Sequence, residues 1–531
     1  MADFLIDQLK NLESYKRLNE DINNGTSPIA TYGIIDESMG HFLYALNNHT
    51  GKQILVITHN DVKCKKIYED IKGLGGHNVI LFPKREILFY DVDAYSYDWI
   101  NERMEVISKL AKGENVIVVT TIDALFEKLI SRDIFEAYSK RINVGDEVDL
   151  DLLKEILLSG GYEKVNMVEG KGQFSVRGGI LDFFPPYSQN PYRIEFFDVE
   201  VDSIRTFDVI SQKSIENLNS TVITPVMEVL ILDEYRDMMV KKLDEDMKKA
   251  LSKGKRNTLE KGNIENKFNK YKEFLAEKLF ISNRDLLTPY IPDEKLTSIL
   301  GYLNKDAIVF IDEPKRVDEK AKNSMEDFKI KFTDLYEVGE LLPSHANILY
   351  RYEDILDKIK ERVCIVNSIL LIGDNVFKPK SIYNFVNKSM QPYHNQMELL
   401  KEDINHYRYR GYKIILLTSN QERAERLREI LSSMDIEASV MLDRNCEIKS
   451  SQVFITPANI NSGFEYTQIK LAVISDREIF GVGKKKAKKE KKKDAEKIIN
   501  LADLKINDYV VHENHGIGIY EGIVQLNVQG V

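Results

Sequence analysis

Short apolar runs alternate with amphipathic segments in residues 28–135. The runs Gln53–Thr58, Asn78–Pro83 and Asn115–Thr121 are rich in β-branched residues and apolar at nearly every position. Continuous apolar runs of this length are typical of parallel strands that are covered on both faces. Amphipathic helices are predicted between them, for example at Asp61–Leu74. This alternation of strand and helix predicts a doubly wound α/β domain.

A period-two pattern at residues 140–216 predicts a small sheet-rich module. Its central part, Gly172–Asp208, contains three strand-like runs, separated first by a Gly-Gly pair and then by a proline-rich turn. Further along the chain, Ala307–Pro314 predicts another buried strand. We interpret this strand as a return to the first α/β domain, so that the module is an insertion. Sequence order alone is equally compatible with two separate domains.

The module combines arginines with aromatic residues on one predicted face. Because side chains alternate along a strand, Arg193 and Phe197 lie on one side, and Ile194 and Phe196 lie on the core side. By the same count, Arg177 lies opposite Phe174 and Val176, which are predicted to be core residues. Arginine and aromatic residues together are typical of a protein-binding hot spot. An ordinary solvated surface is the alternative interpretation.

A second series of strands and helices is predicted at residues 386–480. Its apolar runs are Tyr412–Ser419, Val453–Pro457 and Ile469–Asp476, and an amphipathic helix is predicted at Asn420–Met434. The pattern is that of a second α/β domain.

A run of lysines follows at Gly483–Lys497, with almost nothing to bury. This composition predicts a solvated linker, and a nucleic-acid contact is the alternative. Strand-like alternation then returns at Leu504–Ile523.

Composition narrows the class of protein. The 531 residues, 43% hydrophobic and 30% charged, exceed one ordinary core and imply several domains. A net charge of −10 argues against a protein that coats nucleic acid with its whole surface, although a local basic groove remains compatible with it. No apolar run is long enough to cross a membrane, and the N-terminus lacks the layout of a signal peptide. The scattered cysteines Cys64, Cys364 and Cys446 predict neither disulfides nor zinc, which indicates a cytoplasmic protein.

Residues Gly33–Phe42 follow the first short strand, where a phosphate-binding loop would lie. Such a loop, G-x-x-x-x-G-K-[ST], needs glycines, a lysine for the phosphates and a hydroxyl for magnesium. Only Gly33 fits, because Ser38 stands at the second glycine, Met39 at the lysine and Gly40 at the hydroxyl position. Two acidic residues in the same segment would also repel a triphosphate. The sequence therefore predicts no ATPase activity.

Other catalytic chemistry is not predicted either. Asp312 and Glu313 end the apolar run Ala307–Pro314 and look like the magnesium-binding acidic pair of a motor protein. Without a lysine or hydroxyl partner, they are predicted to end a strand and begin a turn. His512 and His515 are three positions apart, point to opposite faces and have no cysteine nearby. We therefore expect no catalytic residue, no cofactor and no metal site.

The run GQFSVRGGILDFFP, followed by PYRIEFFD and DSIRTFD, closely resembles the small module shared by the bacterial excision-repair protein UvrB and the transcription-repair coupling factor Mfd. The resemblance implies that the module docks onto UvrA, the damage-recognition protein. The family residues of that contact match Arg177, Arg193 and Phe197. Pattern and resemblance thus select the same three residues, and the resemblance implies that they bind UvrA.

Two further segments carry the resemblance. NERMEVISKLAKGENVIVVTTIDALFEKL resembles the first motor-like domain of the same proteins, which supports the inserted position of the module. LKINDYVVHENHGIGIYEGI resembles the opening of the small β domain by which the coupling factor binds the β subunit of RNA polymerase. This second match implies His512, Gly516, Gly518 and Tyr520 as candidate polymerase-binding residues.

The predicted fold class is a multidomain α/β protein. It comprises a degenerate RecA-like or UvrB-like α/β domain with an inserted small sheet-rich module, a second α/β domain and the start of a small β-barrel domain. The predicted segments are residues 1–139 and 217–385 for the first α/β domain, 140–216 for the UvrA-binding module, 386–480 for the second α/β domain, 481–499 for the Lys-rich linker and 500–531 for the start of the polymerase-interacting domain.

The resemblance implies the N-terminal portion of a protein that recruits UvrA to stalled RNA polymerase and so couples transcription to nucleotide excision repair. The ATP-driven DNA translocase motor, with its ATP, magnesium and most double-stranded DNA contacts, is expected beyond Val531. Because the small β domain would be about half complete there, we expect the chain to be a fragment. We also expect a monomer with no membrane contact.

Two alternatives remain, a UvrB-like protein that binds damaged DNA and an ATP-dependent helicase subunit. The segment between Phe82 and Asn101 is too short for the aromatic hairpin by which UvrB grips DNA. This difference favours the coupling factor over UvrB.

Overall fold

The structure, a computed structural model, describes residues 3–85, 87, 89, 98–252, 257–277, 284–370, 376–443, 445, 447–481, 509–512 and 516–519. The predicted Lys-rich linker lies outside these residues except for Gly481, and so do Cys446, His515, Tyr520 and most of the segment between Phe82 and Asn101. The chain divides into two compact units, one formed by residues 1–93 and 97–481 and the other by residues 94–96 and 482–531.

The first part of the chain forms buried strands, several of which are followed by a helix. Its strands are β1 (Ile29–Tyr32), β2 (Ile54–Thr58), β3 (Val79–Phe82), β4 (Ile117–Thr121) and the two-residue β5 (Leu129–Ile130). Its helices are α1 (Phe4–Asp7), α2 (Glu13–Asn23), α3 (Asp36–Thr50), α4 (Asp61–Gly73) and α5 (Asp98–Ala111). Strands β2 and β4 are buried at every position, as their apolar sequences predict.

The next part is the sheet-rich module with its flanking helices. The elements are α6 (Arg132–Ala137), β6 (Lys140–Asn143), α7 (Leu150–Ser159), β7 (Glu163–Lys164), β8 (Gln173–Arg177), β9 (Ile180–Phe183), β10 (Tyr192–Phe197), β11 (Glu200–Phe207), β12 (Ser214–Leu218) and β13 (Ser220–Ile223). Six of the strands form one sheet in the order β12-β11-β10-β9-β8-β7, antiparallel except for the pair β7–β8.

The chain enters and leaves the module through one antiparallel strand pair. The chain enters the module through strand β6 and leaves it through strand β13. In their register, Asn143 is paired with Ser220 and Lys140 with Ile223. The ladder extends towards the module through a hydrogen bond from Val144 N to Asn219 O (3.0 Å). The two crossing points are therefore side by side, as expected for a domain inserted into another.

The chain then returns to the first sheet. The elements are α8 (Asp233–Ser252), α9 (Thr258–Ala276), β14 (Leu296–Thr297), β15 (Ile308–Asp312), α10 (Pro314–Glu337), α11 (Tyr352–Lys360), β16 (Val363–Ser368) and β17 (Ser381–Asn384). Strands β15, β16 and β17 join the earlier strands in one seven-stranded parallel sheet, ordered β17-β1-β16-β15-β2-β4-β3. Strands from both sides of the module thus share one core.

A buried ionic network ties the chain before the module to the chain after it. Arg103 on α5 is fully buried and donates from Nη2 to Glu228 Oε2 (3.1 Å) and from Nη1 to Pro83 O (2.5 Å). Its guanidinium also pairs with Glu127 (2.6 Å) and lies 3.9 Å from the centre of the Phe82 ring. Burial raises the pKa of Glu127 to about 7.

The remaining members of the network are Arg85 and Asp285. Arg85 donates its backbone N–H to Glu127 (2.9 Å) and pairs with Asp285 through its guanidinium. The network therefore connects the end of β3 and helix α5 with the later segments that contain Glu228 and Asp285, within one buried cluster.

A second α/β domain follows. Its elements are β18 (Asn387–Ser389), α12 (Met397–Tyr409), β19 (Lys413–Thr418), α13 (Gln421–Ser433), β20 (Ala438–Val440), β21 (Val453–Pro457), β22 (Phe464–Tyr466), β23 (Leu471–Ser475) and α14 (Asp476–Phe480). The sheet order is β18-β22-β23-β19-β21-β20, and β23, β19, β21 and β20 are parallel.

The two α/β domains share a hydrophobic core, in which Ile415, Leu417 and Phe464 pack in the same cluster as residues of α1, α3 and α4. At the edge of this contact, Asp70 accepts hydrogen bonds from Asn461 N (2.6 Å) and Nδ2 (3.0 Å). Burial raises the pKa of Asp70 to about 6.

The predicted fold class is confirmed by this architecture. The described part of the second unit is a hairpin of β24 (Tyr509–His512) and β25 (Gly516–Ile519), which are antiparallel. Cys64 and Cys364 are buried, and neither is part of a disulfide bond within the described residues. None of the helices in the described ranges is long and apolar enough to span a membrane.

Candidate protein-binding site

Strands β8, β9 and β10 lie side by side and carry the predicted arginine and aromatic residues. The β8–β9 turn uses Gly178 at φ +60°, a conformation that favours glycine. At Gly179 a β-carbon would lie 2.9 Å from Phe196 O, and its carbonyl accepts a hydrogen bond from Phe196 N (2.8 Å). The two glycines therefore allow a tight turn directly against β10. This turn places Arg177 at the end of β8.

Asp182, at the centre of β9, holds both predicted arginines. Its Oδ2 accepts hydrogen bonds from Arg177 Nη2 (2.7 Å) and Arg193 Nη2 (2.9 Å), and its Oδ1 accepts one from Arg193 Nε (2.7 Å). The register places Asp182 opposite Ser175 on β8 and opposite Arg193 on β10. The Asp182 side chain is only 1% exposed, so its charge is balanced by the two guanidinium groups rather than by water.

Arg193 is largely covered. Its guanidinium lies 4.3 Å from the centre of the Phe207 ring and donates to Gln212 Oε1 (3.2 Å), and only 14% of its side chain is exposed. The hydrogen bonds to Asp182 raise the pKa of Arg193. Arg193 is thus fixed in position and charged.

Arg177 and Phe197 are the accessible members of the predicted set. The Arg177 side chain is 48% exposed and Phe197 is 79% exposed. Phe197 ends β10 just before a turn in which Asp198 has φ +61°. Because Ile180 pairs with both Arg177 and Glu195, the register places Arg177 and Phe197 at the same end of the sheet. An exposed aromatic side chain and an exposed arginine at one end of a sheet are typical of protein-binding surfaces.

The predicted core of the module is correct in part. Phe174 and Ile194 are fully buried, but Val176 and Phe196 are only half-buried. Both half-buried residues lie next to the turns at the end of the sheet, where fewer neighbours cover a side chain.

Sequence reasoning missed Asp182. The signal was present, because a lone carboxylate in the apolar run Ile180–Phe184 either is buried with partners or interrupts the strand. It also missed the nearby pair of Glu195 and Arg205, with Ser203 donating to Glu195 Oε2 (3.1 Å).

Residues Gly33–Phe42 directly follow strand β1, at the carboxyl end of the seven-stranded sheet. Here Lys63 on α4 forms ion pairs with Asp312 and with Asp36 (2.8 Å). Asn367 Nδ2 also donates to Asp312 Oδ1 (3.2 Å). Burial raises the pKa of Asp312, and the positive charge of Lys63 opposes this shift. A lysine of the chain itself therefore neutralises the carboxylate that resembles a magnesium ligand.

The candidate polymerase-binding residues lie in the second unit. The hairpin register pairs His512 with Gly516 and Val510 with Gly518. Within the described parts of the chain, no group of three or more His, Cys, Asp or Glu side chains is placed to hold a metal ion.

Comparison with known proteins points in the same direction as these features. The family model of the UvrB interaction domain matches residues 141–228, which contain β8, β9 and β10. The family model described as CarD-like/TRCF RID domain matches residues 504–531. The predicted resemblance to the transcription-repair coupling factors is confirmed.

Several relatives carry that name. The transcription-repair-coupling factor of Bacillus subtilis is 32% identical over 98% of this chain and 44% of its own length. The factor of Staphylococcus epidermidis is 29% identical over 95% of this chain, and that of Staphylococcus haemolyticus is 28% identical over 100%. The chain spans a little under half the length of these coupling factors.

Proposed function

We propose that this chain is the recruiting part of a transcription-repair coupling factor. In this proposal, the module at residues 140–216 binds UvrA, and residues 500–531 contact the β subunit of RNA polymerase. The observation that carries the proposal is the exposure of Arg177 and Phe197 at one end of the sheet, within the segment matched by the UvrB interaction domain. Both partners act in the cytoplasm, and the chain would act there as a monomer.

The two exposed side chains supply complementary kinds of contact. Phe197 offers a large apolar surface that gains free energy when it leaves water. Arg177 offers a charged fork that can bind a carboxylate or a carbonyl oxygen of the partner. Arg193 supports them from a mostly buried position, so its contribution to binding would be indirect. The polymerase contact has its support in the matched segment 504–531, with His512, Gly516, Gly518 and Tyr520 as candidate residues.

Arg177→Ala and Phe197→Ala are each expected to weaken binding of UvrA by about 2 kcal/mol, or about 30-fold in Kd, as truncation of a hot-spot residue does. The measurement is a titration of purified UvrA with the whole chain. Arg423→Ala is a matched control, because Arg423 is 60% exposed and pairs with one carboxylate, Asp476 (3.2 Å), in the second α/β domain. If both module variants bind UvrA as tightly as the control does, the proposed surface is wrong.

ATP-driven movement on double-stranded DNA is not proposed for these residues. The support is the ion pair of Lys63 with Asp312, together with the lack of a P-loop lysine in Gly33–Phe42. A helicase subunit, the alternative of a different class, would hydrolyse ATP. We expect no ATP turnover above background with or without DNA in a phosphate-release assay. Turnover that is stimulated by DNA would favour the helicase alternative.

A further inference from the structure

We propose that Asp182 is a positioning residue of the UvrA-binding surface, an inference that rests on the proposed function. Its buried carboxylate orients the two arginines, so that the exposed part of Arg177 is presented together with Phe197. The partner would offer an acidic side chain beside an apolar pocket.

The geometry around Asp182 is that of a shared acceptor. Arg193 binds both carboxylate oxygens through Nε and Nη2, the two-point arrangement that fixes a guanidinium in angle as well as distance. Arg177 donates to the same carboxylate through Nη2 alone (2.7 Å). Within the described residues, Nε and Nη1 of Arg177 have no hydrogen-bond partner, and the side chain is 48% exposed. One end of this guanidinium is thus held and the rest is accessible.

The local charge indicates the chemistry of the partner. Two guanidinium groups and one carboxylate leave a net charge of +1 on this cluster. The two-point pair between Arg193 and Asp182 accounts for one charge of each sign, so the remaining positive charge is carried at Arg177. An acidic side chain is the complement of this charge, and an apolar pocket is the complement of Phe197.

A second carboxylate on the same sheet provides a matched comparison. Glu195 on β10 pairs with Arg205 and accepts from Ser203 Oγ (3.1 Å), and its side chain is 30% exposed. Glu195 does not contact either predicted arginine among the described hydrogen bonds and ion pairs. Changing Glu195 to glutamine therefore alters the same chemical group on the same strand assembly without releasing Arg177.

The decisive variant is Asp182→Asn, because positioning and simple electrostatics predict opposite results. An amide carries no charge, and its NH2 group would face a guanidinium donor where the carboxylate offers a second acceptor oxygen. The amide therefore holds the two arginines less firmly, and we expect UvrA binding to weaken about 10-fold. If Asp182 acted only as a negative charge near the surface, its removal would strengthen attraction to an acidic partner. Glu195→Gln is expected to change the affinity less than 3-fold. Tighter or unchanged binding by Asp182→Asn would overturn the inference.

A double-mutant cycle separates positioning from general damage to the module. In the Arg177→Ala background, Asp182→Asn should have little further effect on UvrA binding, because the exposed arginine that Asp182 positions is already absent and Arg193 is mostly buried. If Asp182→Asn lowers the affinity for UvrA about 10-fold both in the wild-type chain and in Arg177→Ala, its role is merely structural and the inference is contradicted. The proposed function is tested separately, since a wild-type chain that does not bind UvrA would refute it and the inference together.

Discussion

Replacing Arg103 by leucine is expected to lower the free energy of opening of the first α/β domain by about 3–5 kcal/mol. The leucine has no charge, so the buried Glu127 and Glu228 would lose one of the two guanidinium groups that pair with them and would keep only the longer contacts to Arg85. The backbone carbonyl of Pro83 would also lose its donor. The pKa of Glu127 is already raised to about 7 by burial, so this carboxyl would take up a proton and recover part of the loss.

Native-state hydrogen exchange of the amides in β4 measures this change, because it reports local opening in a chain of several domains. Arg17→Leu is the control, because Arg17 and its partner Glu13 are exposed. This change should lower the free energy of opening by less than about 0.5 kcal/mol. Adding Glu228→Gln to Arg103→Leu should restore part of the protection, because it removes one of the three carboxylates that would be left around the single guanidinium of Arg85. If the β4 amides are equally protected from hydrogen exchange in Arg103→Leu and Arg17→Leu, the assigned role of the network is wrong.

Replacing Lys63 by methionine is expected to destabilise the same domain by about 3 kcal/mol near neutral pH. Methionine keeps much of the apolar stem but leaves Asp312, which is 1% exposed, without a cation. The hydrogen bond from Asn367 remains, so the loss should be smaller than for Arg103. Thermal unfolding of the chain, with hydrogen exchange in β15 as a local probe, measures the effect.

The loss in Lys63→Met should depend on pH. Burial already raises the pKa of Asp312 in the folded chain, and removal of Lys63 would raise it further. A carboxyl whose folded pKa lies above its unfolded value favours folding at low pH, and this contribution disappears as the pH rises through the folded pKa. The difference between variant and wild type should therefore be small near pH 4 and largest above pH 7.

Lys52→Met is a matched control for this experiment. Lys52 also pairs with an aspartate, Asp306 (3.2 Å), but that aspartate is 62% exposed, so the expected loss is below about 1 kcal/mol and nearly independent of pH. Lys63→Arg keeps the charge and should retain most of the stability. A loss in Lys63→Met that stays constant from pH 4 to pH 8 would disprove the link to Asp312.

The sequence was sufficient for the class of fold because that class depends on local patterns. Strands β2 and β4 lie within apolar runs that are covered on both faces, and helix α4 begins at the predicted residue, Asp61, with Asn60 as its N-cap. The binding role of Arg177, Arg193 and Phe197 and the limits of the domains stay predictions.

The supporting contacts could not be predicted, because they join residues far apart in the chain. Arg103 and Glu228 are separated by 125 positions, and no periodic pattern indicates which buried carboxylate a given arginine meets. Lys63 is one of several lysines on an amphipathic helix, and only the sheet order brings it to Asp312. Asp182 is the exception, since its place in an apolar run was visible.

The strand pair β6–β13 has a mechanical consequence for a chain that holds a partner. Both strands run between the first α/β domain and the module, in opposite chain directions, and they are paired over four residues each. A pull on the module along this pair therefore stretches two covalent backbones in parallel and does not peel the cross-strand hydrogen bonds apart one at a time. The attachment would carry tension from a tethered partner into the parallel sheet while the ladder stays closed.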